Sequence, residues 1–166
     1  NRSQFFRGQV DKYTWVDVGS SYLPSELIAA FLLAQFDEAA AITQRRLSIW
    51  NTYHLGLEQA EREGKLRRPM VPAHCQHNAH MYYVLLSDLA QRGRLIQQLR
   101  ERDVQTVFHY VPLHSAPAGR RWGRVACATG ELPVTDSVSD RLLRLPLWCG
   151  IEGEQVSLIQ ALREVL

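Results

Sequence analysis

The sequence predicts an α+β fold in which a long helical arm leads into a small sheet. Apolar residues recur at three- and four-residue steps between residues 25 and 63, and Gly64 then ends the helical pattern. The composition changes at "LRRPMVPAHCQHN", after which short apolar runs alternate with helical patterns. We therefore expect two parts: residues 1–66, which hold the long helices, and residues 67–166, which form a small α+β domain.

The overall composition is that of a globular protein with a core of its own. The chain has 166 residues, of which 46% are hydrophobic and 22% charged. A formal net charge of +2 is too small to indicate nucleic acid or an anionic membrane as a partner. No apolar run approaches the ~20 residues of a membrane span, and we expect no signal peptide. The chain begins at Asn1 without a methionine, which we interpret as the start of a fragment of a longer protein.

The number and spacing of the cysteines indicate the redox state of the compartment in which the protein is expected. Cys75, Cys127 and Cys149 are odd in number and widely spaced. This pattern predicts reduced thiols in a cytoplasmic protein and argues against a disulfide framework.

The arm begins with a helix over residues 25–36. Ser25 is the expected N-cap, and Glu26 suits the positive end of the helix dipole. Because "AFLLAQF" is apolar on almost every side, we expect this helix to be buried on more than one face. A longer helix is expected over residues 38–63. Its apolar face is predicted to comprise Leu47, Trp50, His54 and Leu57.

The second part is predicted to alternate strands and helices. "HMYYVLL", "VQTVFHYV" and "RLPLW" are predicted as strands, and "SAPAGRRWG" as a loop or short helix. Helices are expected over residues 88–102, 137–143 and 152–165. The inward-facing residues of the first and last of these are predicted to be Leu89, Leu95, Ile96, Leu99, Val156, Ile159, Leu162 and Val165.

The run "VFHYVPLH" is the candidate site that the residues themselves suggest. His109, Tyr110 and His114 interrupt an otherwise apolar stretch, which a purely buried strand would not need. Polar groups at a strand end can line the rim of a pocket. The alternative is a pair of hydrogen-bonded histidines and a half-buried tyrosine, since no acidic partner lies nearby in the sequence.

Two further motifs admit a functional and a structural interpretation. "AHCQHNAH" offers zinc ligands at short spacing, but no second ligand pair matches it, which favours a polar loop. Ser20, Ser21 and Tyr22 precede the first helix, where hydroxyls and free N–H groups suit a phosphate. From spacing alone, a capping turn is the favoured interpretation. The chain has no glycine-rich phosphate loop and no G-x-S-x-G motif.

Three stretches together resemble one known family. "DKYTWVDVGSSYLPSELIAAFLLAQ", "NAHMYYVLL" and "FHYVPLH", with "RLLRLPL" near the end, are similar to the C-terminal portion of the DegT/DnrJ/EryC1/StrS sugar aminotransferases. The resemblance implies the C-terminal small domain of a fold-type I enzyme that uses pyridoxal 5′-phosphate and is normally a cytoplasmic homodimer. Such enzymes transfer an amino group, usually from glutamate, to a keto sugar on a nucleotide diphosphate, here a dTDP-keto-6-deoxy sugar for lipopolysaccharide or other surface polysaccharide.

The resemblance also implies roles for residues at the two polar segments. By similarity, Ser20, Ser21 and Tyr22 help to hold the cofactor phosphate, although the family pattern G-x-N-Y-R-M keeps only the glycine and tyrosine here. His109, Tyr110 and His114 line the sugar-nucleotide side of the pocket. This assignment places "NAH" on the strand that opens the small domain, so no metal site is expected.

The catalytic lysine of the family lies upstream of the matching stretch. Neither Lys12 nor Lys65 sits in the family's lysine motif, so no catalytic residue is assigned and the fragment alone is expected to be inactive. Arg2 and Arg7 lie in a segment that could approach a pyrophosphate, which suits arginine's forked donors. Two alternatives remain open: a non-catalytic dimerisation or binding module on the same fold, and a pyridoxal-phosphate-dependent dehydratase in which histidine replaces the lysine.

Overall fold

A computed structural model of the chain describes residues 17–19, 24–125 and 132–166. These residues form seven helices and three strands among the described part of the chain. In chain order the elements are α1 (Glu26–Asp37), α2 (Ala39–Gly56), α3 (Glu58–Arg62), β1 (Tyr82–Leu85), α4 (Leu89–Arg100), β2 (Val107–Phe108), α5 (Pro117–Trp122), α6 (Pro133–Arg141), β3 (Leu142–Leu145) and α7 (Gln155–Val165). The α+β prediction is confirmed.

The three strands form one antiparallel sheet in the order β1-β3-β2. Val84 of β1 is opposite Leu143 of β3, and Phe108 of β2 is opposite Leu143 on the other side. Strand β3 is therefore central, and its inward side chains pack among the core helices. Tertiary contacts divide the described residues into two compact units, of which the larger contains residues 24–108 and 141–166 and the smaller contains residues 17–19, 109–125 and 132–140.

The core of the larger unit lies between the sheet and helices α2, α4 and α7. Tyr53 is fully buried, and its hydroxyl donates a hydrogen bond to the Pro146 carbonyl oxygen at 2.7 Å. The Gln155 amide is also buried and donates to the Ile49 carbonyl oxygen at 2.6 Å, so these polar groups do not lose their hydrogen bonds on burial. The apolar centre of this core comprises Ile49, Leu57, Tyr82, Val84, Leu99, Leu143, Leu158 and Leu162.

This core crosses the predicted division between residues 66 and 67. Ile49 and Tyr53 of α2 pack in one cluster with Tyr82 and Leu143, which the sequence assigned to the second part. The C-terminal half of α2 thus contributes to the small sheet's core. The division of the whole protein into parts at residue 66 stays a prediction.

Helix α1 begins as the sequence predicts and packs differently. The Ser25 hydroxyl accepts a hydrogen bond from the Ile28 backbone N–H at 3.3 Å, which is the expected N-cap. The expectation that this helix is buried is wrong for the described chain, because none of its residues is buried. Phe31 and Leu33 are 70% and 68% exposed. An almost uniformly apolar helix indicates that some surface must cover it, but the helix sequence does not identify that surface.

The later elements correct several sequence boundaries. The predicted 38–63 helix is interrupted after Gly56 and ends, as expected, before Gly64, whose φ of +72° suits glycine. The predicted 137–143 helix is wrong at its end, since Leu142 and Leu143 instead pair with β1, where ladder hydrogen bonds replace helical ones. The predicted strand at 104–111 is limited to Val107–Phe108.

The inward faces of α4 and α7 are partly as predicted. Leu95, Leu99, Ile159 and Leu162 are buried, whereas Leu89 and Val156 are 51% and 72% exposed. Leu158 is buried where Val156 was expected, so the face of α7 that packs on the core is rotated from the predicted one. Ile96 and Val165 pack against the core at its margin.

Candidate active site

The polar segment after β2 contributes an imidazole and a phenol that contact each other. The rings of His109 and Tyr110 meet edge to face with centroids 4.9 Å apart. Tyr110 is 53% exposed, and its carbonyl oxygen accepts a hydrogen bond from the Ser139 hydroxyl of α6 at 3.2 Å. The segment is thus fixed by α6 through its backbone while the phenol ring remains accessible. Neither ring is among the residues that line the groove described below, so the pocket-rim role of His109 and Tyr110 stays a prediction.

His114 has a charged partner that the local sequence does not reveal. Its Nε2 lies 3.1 Å from both carboxylate oxygens of Asp136 in the first turns of α6. The His114 side chain is 10% exposed and that of Asp136 is 44% exposed. The carboxylate therefore orients a nearly buried imidazole from the solvent side.

A tight turn carries the chain from this segment into α5. The Ser115 hydroxyl donates to the Pro112 carbonyl oxygen at 3.0 Å, and the N–H groups of Ser115 and Ala116 donate to the same oxygen at 3.2 and 3.1 Å. Helix α5 then starts with Pro117 at its first position, where the missing N–H costs no helical hydrogen bond. This turn folds α5 back against the polar segment.

A groove of about 730 Å³ opens where α5, α6 and the polar segment meet in the smaller unit. His114, Arg120, Arg124 and Thr135 supply its polar lining, and Leu113 and Leu132 supply apolar lining. Sequence analysis identified His114 but missed the arginines, the threonine and Asp136. Asp136 lies 22 residues from His114, so only the tertiary fold brings the two together.

The other predicted site residues lie outside the described part of the chain. These are Arg2, which was assigned to the substrate, and Ser20, Ser21 and Tyr22, which were assigned to the cofactor phosphate. Their assignments stay predictions.

The histidine-rich run "AHCQHNAH" forms a loop within the larger unit. The His77 ring meets the Trp50 ring edge-on at 4.7 Å, and His80 Nδ1 lies 3.1 Å from the Asn78 side-chain oxygen. Among residues 17–19, 24–125 and 132–166, no group of three or more His, Cys, Asp or Glu side chains could hold a metal ion.

A second polar cluster borders a cavity of about 750 Å³ in the larger unit. The rings of Trp50 and His54 stack with centroids 4.6 Å apart. Arg68 donates from its backbone N–H and from Nε to the two carboxylate oxygens of Glu61, at 2.6 and 2.7 Å, and from its guanidinium to the His54 carbonyl oxygen. The side chains of Arg68 and Glu61 are 13% and 31% exposed, so this ion pair is partly shielded from water.

The electrostatics of this second cluster follow from burial and from that ion pair. Burial lowers the pKa of His54 below its ordinary value of 6.5, and the positive charge of Arg68 lowers it further. Burial by itself raises the pKa of Glu61, but the hydrogen bonds and charge of Arg68 outweigh it, and the pKa is lowered. Glu61 is thus paired within the fold, whereas the buried Nδ1 of His54 has no hydrogen-bond partner among the described residues.

The described helices include none that is long and apolar enough to cross a bilayer.

Comparisons with known proteins point to one family of aminotransferases. The model of the DegT/DnrJ/EryC1/StrS aminotransferase family matches residues 2–163. An uncharacterized protein of Methanocaldococcus jannaschii is 23% identical over 158 residues, which cover 93% of this chain and 40% of that protein. The dTDP-4-dehydro-2,3,6-trideoxy-D-glucose 4-aminotransferase of Saccharopolyspora spinosa is 27% identical over 140 residues, which cover 84% of this chain and 34% of that enzyme.

A solved structure agrees with the sequence matches. DesV of S. venezuelae superposes with a TM-score of 0.72 at 26% identity, over 93% of this chain and 40% of DesV. This match confirms the expected fold, that of the corresponding part of a fold-type I aminotransferase. The chain spans about two-fifths or less of the length of each of these relatives. On the family match over nearly its whole length, the chain belongs to the DegT/DnrJ/EryC1/StrS aminotransferase family.

Proposed function

We propose that this chain is the C-terminal portion of an enzyme that transfers an amino group to a keto sugar carried on a nucleotide diphosphate. The observation that carries this proposal is the family match over residues 2–163, within which Leu113 and His114 of the polar segment line an open groove. A segment that served only the core would enclose such side chains, whereas Tyr110 is 53% exposed.

The proposed substrates are a dTDP-linked 4-keto-6-deoxy sugar and glutamate. The 27% identical relative from S. spinosa is named for 4-amination of a dTDP-linked keto sugar, which supports the dTDP class. In addition, "RSQFFRGQVDKYTWVDVGSSYLPSE" resembles the transaminase that forms dTDP-4-amino-4,6-dideoxygalactose for enterobacterial common antigen. The product would enter lipopolysaccharide or another surface polysaccharide, and the enzyme would act in the cytoplasm.

The cofactor of this family, pyridoxal 5′-phosphate, supplies the electron sink for amino transfer. The described residues do not form a complete site for it. Lys65 is the one lysine that the structure describes, and its ammonium group pairs with Glu63 at 3.2 Å on an exposed turn. We propose that this segment is inactive without the rest of the enzyme.

The proposed task of the described residues is to bind and orient the sugar nucleotide. The half-exposed Tyr110 ring offers a stacking face, and the Asp136 carboxylate fixes the orientation of His114. Groups held in this way can position a bound sugar without reorganising at each turnover.

The proposed enzyme is a homodimer, as is usual for its family. The exposed apolar side chains of α1, including Phe31 and Leu33, support burial of this helix in the complete assembly.

The test is amino transfer by the full-length protein with a dTDP-4-keto-6-deoxy sugar and glutamate. We expect His114→Ala to raise KM for the sugar nucleotide more than it weakens cofactor binding. Ser137→Ala, on the exposed side of α6, serves as a matched control that should leave both unchanged.

Three outcomes would contradict the proposal. Histidine at the position of the upstream lysine, with loss of water from the sugar, would indicate a dehydratase. A full-length protein that binds no cofactor would indicate a binding or dimerisation module. Amino transfer by the fragment alone would show that the catalytic group lies within these residues.

A further inference from the structure

The groove in the smaller unit has a wall made of bare backbone. A Cβ atom on Gly119 would lie 1.5 Å from the Leu113 carbonyl oxygen, and one on Gly123 would lie 2.4 Å from the Gly119 carbonyl oxygen. No side chain can be accommodated at either position without moving the main chain. Helix α5 therefore lies directly against the polar segment, and both glycines line the groove.

Two guanidinium groups stand beside this wall. Arg120 in the last turn of α5 and Arg124 just beyond it both line the groove, and neither forms an ion pair with any residue in the described ranges. Arg45 and Arg68 of the larger unit, in contrast, are held by Glu152 and Glu61 at 2.7 Å. The groove arginines thus keep their donors available.

The charged side chains at the groove carry a net positive charge. Arg120 and Arg124 bring two positive charges, and Asp136 brings one negative charge that is directed at the His114 imidazole. The Thr135 hydroxyl adds a neutral donor on the α6 side. Such a lining attracts an anion and leaves the Asp136 carboxylate occupied by its own partner.

We propose that this groove binds the diphosphate of the nucleotide-linked substrate, with Arg120 and Arg124 as its principal ligands. A guanidinium group presents a planar fork of N–H donors that matches phosphate oxygens, and two such groups can serve two linked phosphoryl groups. The diphosphate would thereby lie next to His114, on the same segment as His109 and Tyr110. This assignment of the ligand rests on the proposed function, whereas anion binding by the groove does not.

The test compares two double variants of the full-length enzyme that remove the same charge. Arg120→Gln with Arg124→Gln alters the groove, and Arg94→Gln with Arg100→Gln alters the exposed face of α4 as the matched control. Titration calorimetry measures the Kd of inorganic pyrophosphate and of dTDP, and steady-state kinetics measures KM for the dTDP-sugar. We expect both Kd values and KM to rise about tenfold or more in the groove variant, which corresponds to ~1.4 kcal/mol of binding.

Two further ligands distinguish a site for the substrate diphosphate from a site for a single phosphate or for the cofactor phosphate. Inorganic phosphate should bind more weakly than pyrophosphate, since it engages one guanidinium group at a time. The affinity for pyridoxal 5′-phosphate should be unchanged in the groove variant. A selective loss of cofactor affinity would overturn the inference and assign the groove to the cofactor phosphate.

The pyrophosphate titrations have further outcomes that would support or overturn the anion site. Unchanged pyrophosphate binding in the groove variant, or an equal loss in the α4 control, would overturn the inference. Loss of pyrophosphate binding in the groove variant alone, in a protein without aminotransferase activity, would contradict the proposed function while retaining the anion site.

Discussion

His54 and His114 both follow apolar residues in the sequence, yet they lie in contrasting surroundings. His54 stacks on Trp50, and its Nδ1 is buried without a hydrogen-bond partner among the described residues. His114 lies 3.1 Å from the Asp136 carboxylate at the edge of an open groove. Both histidines line a cavity, and they differ in the group that holds them. An aromatic ring covers the first, and a half-exposed carboxylate holds the second.

The same contrast extends to the arginines beside each histidine. Arg68 is bound by the Glu61 carboxylate and the His54 carbonyl oxygen, so its donors are used within the fold. Arg120 and Arg124 line the groove beside His114 and make no ion pair within the described ranges. The donors of Arg68 are thus used within the fold, whereas the groove arginines offer their donors to a ligand.

The largest expected effect comes from removing the ring that covers His54. Trp50→Ala should destabilise the chain by about 3–5 kcal/mol, because it leaves a cavity next to Tyr53 and Tyr82 in the core. Urea unfolding followed by far-UV circular dichroism measures the change. Trp148→Ala is the matched control, since Trp148 is 54% exposed and its loss should cost much less. Equal losses would break the comparison by showing that the Trp50 site is not a packed core.

A smaller effect is expected from the closed ion pair. Glu61→Gln removes the charge and one of the two acceptors that bind Arg68, which is 13% exposed, so we expect a loss of about 2 kcal/mol. Glu58→Gln is the control, because its ion pair with Arg62 is exposed and should contribute less than about 0.5 kcal/mol. A loss at Glu61 no larger than at Glu58 would mean that water screens both pairs alike.

The pH dependence of stability sharpens the comparison further. Burial lowers the pKa of His54 below 6.5, so the unfolded chain takes up a proton before the folded chain does. Stability should therefore fall as the pH falls below about 6.5, with a slope of at most ~1.4 kcal/mol per pH unit from this group. Urea midpoints between pH 5 and 8 measure the slope, and His54→Phe should flatten it.

The matched control for this titration is His54→Gln, which also cannot titrate but is polar. Both variants should give the same flattened curve. Flattening by the phenylalanine variant alone would indicate a packing effect. The lowered pKa of Glu61 acts in a separate window, since its contribution is lost only as the pH falls below about 4.5.

The smallest expected effect on stability is at the groove. Asp136→Asn should cost less than about 1 kcal/mol, because the Asp136 side chain is 44% exposed and its pair with His114 is screened. The same urea assay applies, with Asp140→Asn on the exposed end of α6 as the control. A loss above about 2 kcal/mol would assign the His114–Asp136 pair to the structural framework and remove the contrast with His54.

Periodic patterns predicted much of the fold and failed where tertiary pairing competes with local preference. Ser25 and Asp88 were predictable helix starts, because each side chain accepts from a backbone N–H three residues ahead. Leu142 and Leu143 were assigned to a helix, yet strand β1 pairs with them. No local signal distinguishes the two states for a short apolar run, since the decision depends on a partner strand almost sixty residues away.

The candidate site was predictable only in part. His109, Tyr110 and His114 stand out because polar residues interrupt an apolar run. Asp136 and Arg124 carry no such signal, since a charged residue on an exposed helix or loop is the usual case. The fold gives them significance by bringing them to one groove.

The sequence by itself determined the family, the α+β class and the polar segment 109–114, because residue order and periodicity are local properties that survive in any conformation. Only the tertiary structure decided which histidine is covered by Trp50 and which is held by Asp136. The physical reason is that burial, charge pairing and close backbone approach depend on distances between residues far apart in the chain. Those distances exist only after the core of α2, α4, α7 and the sheet has formed, and after α5 and α6 have packed in their own unit.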